Sequence, residues 1–287
     1  MRMEAATIAS ETREPATVQA IDSTRHPVAR RIADVLRNRS ERPSIFVLDD
    51  LENIEQAVAC GVEVDSLYLS ASADPSTFAG IDADVPRYVL DDSVARTLFG
   101  EQKRSRVFAL ARAPRRPQLR DLIGTTGDII VLDGVRIVGN IGAITRTACA
   151  LGAAGIVLVD SGLRTIWDRR LIRASRGLVF ATPVVLATRA ECAEFIRQEG
   201  LVLAALSADA VEPLSSIRRA RERLALAMGS EREGVSRELD ALTTYRYSIP
   251  MASNVESLNV SVTAGIALFE HKTGEHQDSR LREVGRL

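Results

Sequence analysis

The sequence predicts an α/β protein in which short apolar strands alternate with helices. Two features of the 287-residue chain support this fold class. Short apolar runs recur along it, and the segments between them carry apolar residues at helical spacing. The strands of the second half are apolar throughout, which is typical of parallel strands covered by helices on both faces.

The first half begins with a predicted helix over residues 28–42, where Val28, Ile32 and Val35 share one face. A short strand, "SIFVLDD", follows it. The remaining elements, in order, are a helix in "LENIEQAVACG" that stops at Gly61, strands at "DSLYLS" and "VPRYVL", a helix in "DDSVARTLFG", and a strand at "VFALARA". The acidic pair that opens the last helix and the glycine that closes it are common helix boundaries.

The second half opens with the apolar run "DIIVLDGV", which predicts a fully buried strand. The helix "NIGAITRTACALGAAG" and the strand "GIVLVDSG" come next. Further alternation follows through "DRRLIRASRGLVFATPVVLA", "RAECAEFIRQEG", "LVLAALSAD", "RLALAMGSE" and "YRYSIPM" to a final helix in "SLNVSVTAGIALFEHKT". This order predicts a parallel sheet.

These elements divide the chain into two domains. We predict a disordered leader at 1–24, a first domain at 25–113, a linker at 114–125, a second domain at 126–274 and a polar, fraying tail at 275–287. The leader lacks the apolar core of a signal peptide. The proline-bracketed "PRRP" marks the linker.

Composition excludes several classes of function. Hydrophobic residues make up 46% and charged residues 26% of the chain, as in soluble globular proteins. No segment approaches the roughly 20 unbroken apolar residues of a membrane span. Three well-separated cysteines predict neither a disulfide framework nor a metal site, and they favour a reducing, cytoplasmic location. The three histidines lie near the chain ends, so the middle offers no histidine as a general base.

The loop after the first strand of the second domain is a candidate site, because ligands bind beyond the carboxyl ends of parallel strands. It fits neither a P-loop nor a dinucleotide-binding GxGxxG loop. Asn140 could cap the following helix or contact a ligand. Arg146 could be an ordinary exposed residue or a bidentate clamp for phosphate or carboxylate.

Two later loops also carry polar residues after or between apolar runs. "LALAMGSEREG" leads from a strand into Gly229, Ser230 and Glu231, and the glycine permits close approach of a ligand or another backbone. "SIPMASNVESLNVSV" places Ser257 and Asn259 at the start of an apolar helix, where they could simply cap it.

Together the three loops resemble the three motifs of the SpoU-type RNA ribose methyltransferases, in the SPOUT class of trefoil-knotted enzymes. "NIGAITR", "MGSEREG" and "IPM…ESLNVSVTAGIALFE" match in the family's order across roughly residues 128–270. The stretches "VLDGVRIVGNIGAITRT" and "RRLIRASRGLVF" look most like the thiostrepton- and nosiheptide-resistance branch. Ser253 stands where the wider family usually has glycine.

The resemblance implies a homodimer that uses S-adenosylmethionine to methylate the 2′-hydroxyl of an adenosine in the thiopeptide-binding region of 23S rRNA. It implies a smaller, ribosomal-protein-like α/β RNA-binding domain before the knotted domain. It also implies that the cofactor is bound by Leu206, Gly229, Ser230, Glu231, Ile249, Leu258, Arg146 and Arg176.

For catalysis, the resemblance points to Arg146, oriented by Asn140, Glu231, Ser257 and Asn259. Arginine is a poor base because it stays protonated. We therefore expect Arg146 to grip a phosphate and to stabilise the charge that develops on the ribose oxygen, with catalysis by a deprotonated arginine as the alternative.

Residues 96–120 carry seven arginines and one lysine against one acid. Such a stretch could be a solvated linker or a phosphate-contacting patch. With the resemblance, it predicts RNA contacts by Phe99, Lys103, Arg104, Arg106, Arg115 and Arg116.

Three alternatives remain from sequence alone. The same chemistry could act on transfer RNA or another rRNA site, or the chain could be a non-catalytic RNA-binding factor. A nicotinamide-dependent enzyme is disfavoured by the missing GxGxxG.

Overall fold

The computed structural model describes the backbone of residues 18–71, 73, 81–82, 84–100, 106–230, 233–255 and 257–284, and the side chains of these residues up to 274. Within them the chain forms two α/β domains, each built around one sheet. None of the helices in these described ranges is long and apolar enough to cross a membrane.

The first domain contains a five-stranded mixed sheet in the order β1-β4-β3-β5-β2. β1, β4 and β3 are parallel, whereas β5 runs antiparallel to β3 and β2. Its elements are β1 (Gln19–Ile21), α1 (Pro27–Arg37), β2 (Ile45–Asp49), α2 (Leu51–Ala59), β3 (Val64–Ser70), β4 (Arg87–Leu90), α3 (Asp92–Phe99) and β5 (Val107–Arg112).

Side chains that alternate along these strands pack against helices on opposite faces, as a two-residue repeat requires. Tyr68 packs in a core with residues of α1 and α3, while its neighbours Leu67 and Leu69 join a core that includes α2. The predicted acidic cap of α3 is confirmed, since the Asp91 carboxylate accepts a hydrogen bond from the Ser93 backbone N–H at 2.8 Å.

The second domain contains a seven-stranded sheet in the order β10-β12-β9-β11-β6-β7-β8, and every pairing in it is parallel. Its elements are β6 (Ile129–Asp133), α4 (Val138–Leu151), β7 (Gly155–Val159), α5 (Arg169–Ala174), β8 (Val184–Ala187), α6 (Arg189–Gln198), β9 (Val202–Leu206), β10 (Glu212–Pro213), β11 (Leu224–Gly229), α7 (Arg237–Asp240), β12 (Thr243–Ser248) and α8 (Val260–Val284). β6 is buried along its whole length, as its apolar sequence predicts.

Elements of the structure extend into three segments that the sequence analysis placed outside the two domains. Gln19–Ile21 falls in the predicted leader but forms β1, which pairs with β4 at the sheet edge. Residues of the predicted linker form a short 3-10 helix, Leu119–Leu122, whose Leu122 side chain is fully buried in the second domain's core. The predicted fraying tail begins inside α8, which continues to Val284.

The two domains pack directly against each other. The Phe46 ring stacks on Trp167 with ring centroids 5.6 Å apart, and Phe180 lies within 5.8 Å of both. Beside these rings, Arg169 donates two hydrogen bonds of 2.8 Å to the buried Asp49 carboxylate. A bidentate ion pair and stacked rings together fix the relative orientation of the domains.

Candidate functional site

The candidate site lies at the carboxyl edge of the second sheet, where the loops after β6, β9, β11 and β12 meet. Parallel strands all end at the same edge, so polar residues that are distant in sequence come together there. Two neighbouring cavities open between these loops. They share Gly229, Ser230, Gly234 and Val260.

The first cavity, called here the apolar cavity, has a volume of about 250 Å³. Its wall carries no charged side chain among the described residues. Five of the predicted cofactor residues line it together with the predicted Ser257: Leu206, Gly229, Ser230, Ile249 and Leu258. It is further lined by Gly234, which belongs to the second motif, and by residues that the sequence analysis missed: Ser207, Ala208, Met228, Tyr247, Met251, Val260 and Thr263.

The loop after β11 is held in a tight turn that only glycine permits at Gly229. A Cβ atom at that position would lie 1.8 Å from the Gly234 carbonyl carbon and 2.2 Å from the Val235 nitrogen. The Gly234 N–H donates to the Ser230 carbonyl at 3.0 Å and closes the turn. The close backbone approach predicted for Gly229 is therefore present, and it shapes the wall of the apolar cavity.

The second cavity, called here the charged cavity, has a volume of about 410 Å³ and lies beside the first. At its base the buried Asp133 carboxylate accepts hydrogen bonds from the Ser236 backbone N–H at 2.7 Å and from Arg189 at 3.1 Å. The Asp160 carboxylate pairs with Arg189 at 3.3 Å and Arg136 at 2.9 Å. Alternating charges thus join the loops after β6, β7 and β11.

Asp133 and Arg189 are site residues that sequence reasoning missed. The hydrogen bond that the Arg189 guanidinium donates to the Asp133 carboxylate raises the pKa of Arg189 above its ordinary value, so this cation stays charged. An aspartate that ends a buried strand was visible in "DIIVLDGV", and a buried carboxylate requires partners. Its partner Arg189 lies 56 residues later, and nothing in the sequence around Arg189 indicates that it would meet Asp133.

Asn140 and Asn259 meet at the mouth of the site, although they are far apart in sequence. The Asn259 side-chain N–H donates to the Asn140 side-chain oxygen at 3.1 Å. Asn259 also caps α8, because its side-chain oxygen accepts from the Ser261 N–H at 2.8 Å. The interpretation of Asn140 as a helix cap was wrong, because α4 begins before it, with Ile137 at the cap position.

Two predicted cofactor arginines lie outside both cavities. Arg146 is exposed on α4 and forms no ion pair with any residue that the structure describes. Arg176 has a left-handed backbone conformation, φ 52°, and its guanidinium lies 3.4 Å from the Glu52 carboxylate of the first domain. Glu231, predicted for both cofactor binding and catalysis, lies outside the described residues.

The predicted RNA-contacting residues lie mainly around the junction of the domains. Phe99 is half-buried, with the Arg169 guanidinium 5.2 Å from its ring centre. Arg106 and Arg115 are exposed, and Arg116 is half-buried. Arg115 pairs with Asp121 at 2.9 Å. Lys103 and Arg104 lie outside the described residues, so their predicted role is not addressed by the structure.

Burial disfavours the anionic form of two titratable side chains near the site. Burial raises the pKa of Tyr247, in the apolar cavity, to about 12. Burial likewise raises the pKa of Cys192, under the sheet, to about 12. Within the described residues, no group of three or more histidine, cysteine or acidic side chains is arranged to hold a metal ion.

Comparison with known proteins agrees with this geometry. Residues 128–269 match the SpoU rRNA methylase family, and residues 18–125 match the N terminus of the thiostrepton-resistance methylases. A 23S rRNA (adenosine(1067)-2′-O)-methyltransferase of Streptomyces azureus is 43% identical over 85% of this chain and 92% of its own length. The chain belongs to the SpoU rRNA methylase family. An enzyme of the same description from Streptomyces laurentii is 44% identical over 89% of this chain and 95% of its own.

Among solved structures, an AdoMet-bound rRNA methyltransferase from Sinorhizobium meliloti superposes with a TM-score of 0.74. It is 26% identical in sequence, and the match covers 89% of this SpoU-family chain and 98% of that one. The fold class predicted from the sequence, a SPOUT-type parallel-sheet methyltransferase domain preceded by a smaller α/β domain, is therefore confirmed.

Proposed function

We propose that this chain transfers a methyl group from S-adenosylmethionine to the 2′-hydroxyl of an adenosine in the thiopeptide-binding region of 23S rRNA. The observation that carries the proposal is the identity of 43–44% to two enzymes of that activity, extending over nearly their whole length. The likeness includes the N-terminal domain, not only the methyltransferase fold. The physiological outcome we propose is resistance to thiostrepton- or nosiheptide-type antibiotics.

The apolar cavity is the proposed cofactor site. Leu206, Ile249 and Leu258 offer apolar surface to an adenine ring, while the turn at Gly229 brings backbone groups close. Pockets of this kind, mostly apolar with a few placed polar groups, are typical of sites for small cofactors. When bound, S-adenosylmethionine supplies an electrophilic methyl group. The Sinorhizobium structure, which contains AdoMet on the same fold, supports the assignment.

The chain's own residues must then place the ribose and manage the charge on its oxygen. Asn140 and Asn259 are hydrogen-bonded to each other and lie where a ribose could contact both. Holding the hydroxyl in line with the methyl group provides a large share of the rate. Arg146 would stabilise the developing negative charge, because a guanidinium remains positively charged throughout.

Arg146 can act there if a second copy of the chain presents it. α4 and α8 pack on each other. Large apolar side chains are exposed at Ile137 (58% exposed), the cap residue of α4, and at Val262 (48%) and Phe269 (57%) of α8. Exposed apolar residues on neighbouring elements are a common feature of interfaces. These residues support a homodimer formed through α4 and α8, with Arg146 reaching the partner's cavities. A cytoplasmic location is proposed with it, since Cys60, Cys149 and Cys192 are all free.

The proposal is tested by incubating the chain with labelled S-adenosylmethionine and two RNAs. One is the 23S rRNA fragment that binds thiopeptides, and the other is bulk transfer RNA. Label in the rRNA fragment alone is expected. Label only in transfer RNA would keep the chemistry and exclude the resistance function, whereas cofactor binding without transfer to either RNA would contradict the proposed substrate.

A further inference from the structure

A groove between the two domains continues from the candidate site. It consists of two adjoining depressions of about 870 and 880 Å³, which share Gly162 and Arg164. One depression also contains Asp160, which lines the charged cavity. We call these two depressions together the interdomain groove. Its walls come from α1 and β2, from the segment between the domains, and from the loop between β7 and α5.

The lining of the interdomain groove is strongly cationic, although the whole chain has a net charge of only −1. Nine arginines face five carboxylates along its length. The arginines are Arg39, Arg42, Arg115, Arg116, Arg120, Arg164, Arg169, Arg170 and Arg173, and the acids are Glu41, Asp49, Asp160, Asp168 and Glu191. Only part of this set lies in the basic stretch found in the sequence. The fold brings the rest to it.

These arginines fall into two classes. Some are already engaged in ion pairs: Arg169 pairs with Asp49 across the domains, and Arg170 pairs with its near neighbour Asp168 at 2.8 Å. Others, notably Arg42 and Arg164, are exposed and form no ion pair with a residue that the structure describes. A cation without a carboxylate partner can contact a phosphate without first breaking an internal ion pair.

The shape of the groove also suits a polyanion. Its width is fixed by the Asp49–Arg169 ion pair and by the packing of Phe46 against Trp167, so the arginines need not be gathered on binding. The Trp167 side chain is buried between Phe46 and Phe180 and offers little surface to a base. Phe46 is buried as well, and Phe99, which also lines the groove, is half-buried with the Arg169 guanidinium over its ring. Charged side chains beside so little exposed aromatic surface favour contacts with phosphates over contacts with bases.

We propose that the interdomain groove binds the sugar–phosphate backbone of the RNA substrate and guides it to the charged cavity, with Arg42 and Arg164 as phosphate contacts. The inference rests on the proposed function for the identity of the RNA. Such contacts would set the register of the RNA, because phosphate contacts position a nucleic acid without recognising its sequence. Each neutralised phosphate should add to the salt dependence of binding.

The test compares the full-length chain with the double variant Arg42→Gln/Arg164→Gln. The equilibrium constant for the 23S rRNA fragment is measured by fluorescence anisotropy from 50 to about 200 mM salt, a range over which phosphate contacts are strongly screened. The matched control is Arg197→Gln/Arg237→Gln, which removes two exposed arginines of α6 and α7 outside the groove. Calorimetric binding of S-adenosylmethionine and the thermal midpoint verify that each variant is folded.

We expect the groove variant to bind RNA roughly ten-fold or more weakly, with a logarithmic salt slope reduced by about 1.5 to 2. Cofactor binding should be unchanged, and the control should behave like the wild type. Unchanged affinity, or weaker affinity with an unchanged slope, would overturn the proposal. Failure of the wild type to methylate a fragment that it binds would instead defeat the proposed function and leave groove binding standing.

Discussion

The apolar cavity and the interdomain groove are built by opposite means. The cavity lies on one rigid parallel sheet, and its wall consists of apolar side chains, small residues and a glycine turn. The groove lies between two domains, and nine arginines line its wall against five carboxylates. Shape therefore decides what enters the cavity, whereas charge decides what lies in the groove.

Because of this difference, cofactor binding and RNA binding should respond differently to salt and to mutation. Cofactor binding in the cavity should respond to changes of backbone and volume and should depend little on salt. RNA binding in the groove should tolerate changes of side-chain shape and respond strongly to charge and ionic strength. Variants that affect only one of the two regions can break or sharpen this comparison.

The largest effect is expected at Arg146, where the bound RNA and the cofactor would meet. Arg146→Ala should lower the single-turnover rate by roughly 100- to 1,000-fold at saturating RNA and cofactor, as removal of a charge-stabilising donor does elsewhere. Binding of both ligands should change far less. Arg146→Lys keeps the charge without the bidentate geometry, so its single-turnover rate should lie between those of the wild type and the alanine variant. Near-normal turnover of the alanine variant would exclude Arg146 from catalysis.

The next effect is expected from Gly229→Ala, which acts at the wall shared by the two cavities and outside the interdomain groove. The added Cβ would overlap the Gly234 backbone, so the turn must move. We expect S-adenosylmethionine affinity to fall at least about ten-fold and stability to fall by about 1–3 kcal/mol. RNA affinity, measured by fluorescence anisotropy, should stay within two-fold of the wild type, a difference of at most about 0.4 kcal/mol in binding free energy.

The matched control for this variant is Gly139→Ala, in the first turn of α4. A Cβ there meets nothing within 4 Å. Stability should be unchanged or should rise by up to about 1 kcal/mol, since alanine favours a helix more than glycine does. Equal cofactor affinity for the two variants would show that the turn does not shape the cofactor site.

A smaller effect is expected from Asp49→Asn, which loosens the groove wall. The Asp49 carboxylate is 1% exposed and its Arg169 partner 33% exposed, so the pair is partly shielded from water. Loss of a charge-assisted pair of this kind should cost about 2 kcal/mol in the free energy of unfolding. Urea unfolding would measure that cost, and RNA affinity should fall with it while cofactor affinity stays unchanged.

Glu63→Gln provides the comparison for Asp49→Asn, because the Glu63–Arg112 pair is 3.8 Å apart and highly exposed at both ends. Exposed pairs contribute at most about 1 kcal/mol, so this variant should be close to the wild type. A cost as large as that of Asp49→Asn would mean that the interdomain ion pair is no more important than a surface contact.

The smallest effect is a gain in RNA affinity from Asp121→Asn. Arg115 holds the pKa of the Asp121 carboxyl below its usual range, so the carboxylate is charged, and competes for Arg115, at neutral pH. The Asp121–Arg115 pair stabilises the folded protein fully above the pKa that Asp121 has in the unfolded chain. This contribution is lost as the pH falls through the lower pKa of Asp121 in the folded protein. Releasing Arg115 should raise RNA affinity about two-fold and steepen the salt slope. Weaker binding would show that Arg115 does not contact RNA.

The sequence allowed much of this site to be predicted, because local patterns and the three motifs lie in single loops. Leu206, Gly229, Ile249 and Leu258 were expected at the cofactor site, and they do line one cavity. Asn140 and Asn259 were both selected, although their contact joins residues 119 positions apart and could not be read from either loop.

Ion pairs between residues distant in sequence, and very short strands, could not be predicted from local sequence patterns. Asp49 and Arg169 are ordinary charged residues in their own segments, and only the docking of the domains makes them partners. Asp133 and Arg189 are similar. β1 is only three residues long, too short to show a periodic pattern, and its existence depends on pairing with β4. The interdomain groove follows from the same tertiary packing.

The most direct test of the central claim uses the wild-type chain, labelled S-adenosylmethionine and two forms of the 23S rRNA fragment. One form carries a normal ribose at the target adenosine, and the other lacks only its 2′-hydroxyl. If the two cavities position that ribose for methylation, the normal fragment becomes labelled and the 2′-deoxy fragment does not, while both bind equally. Equal labelling of the two fragments would place the methyl group elsewhere and contradict the account.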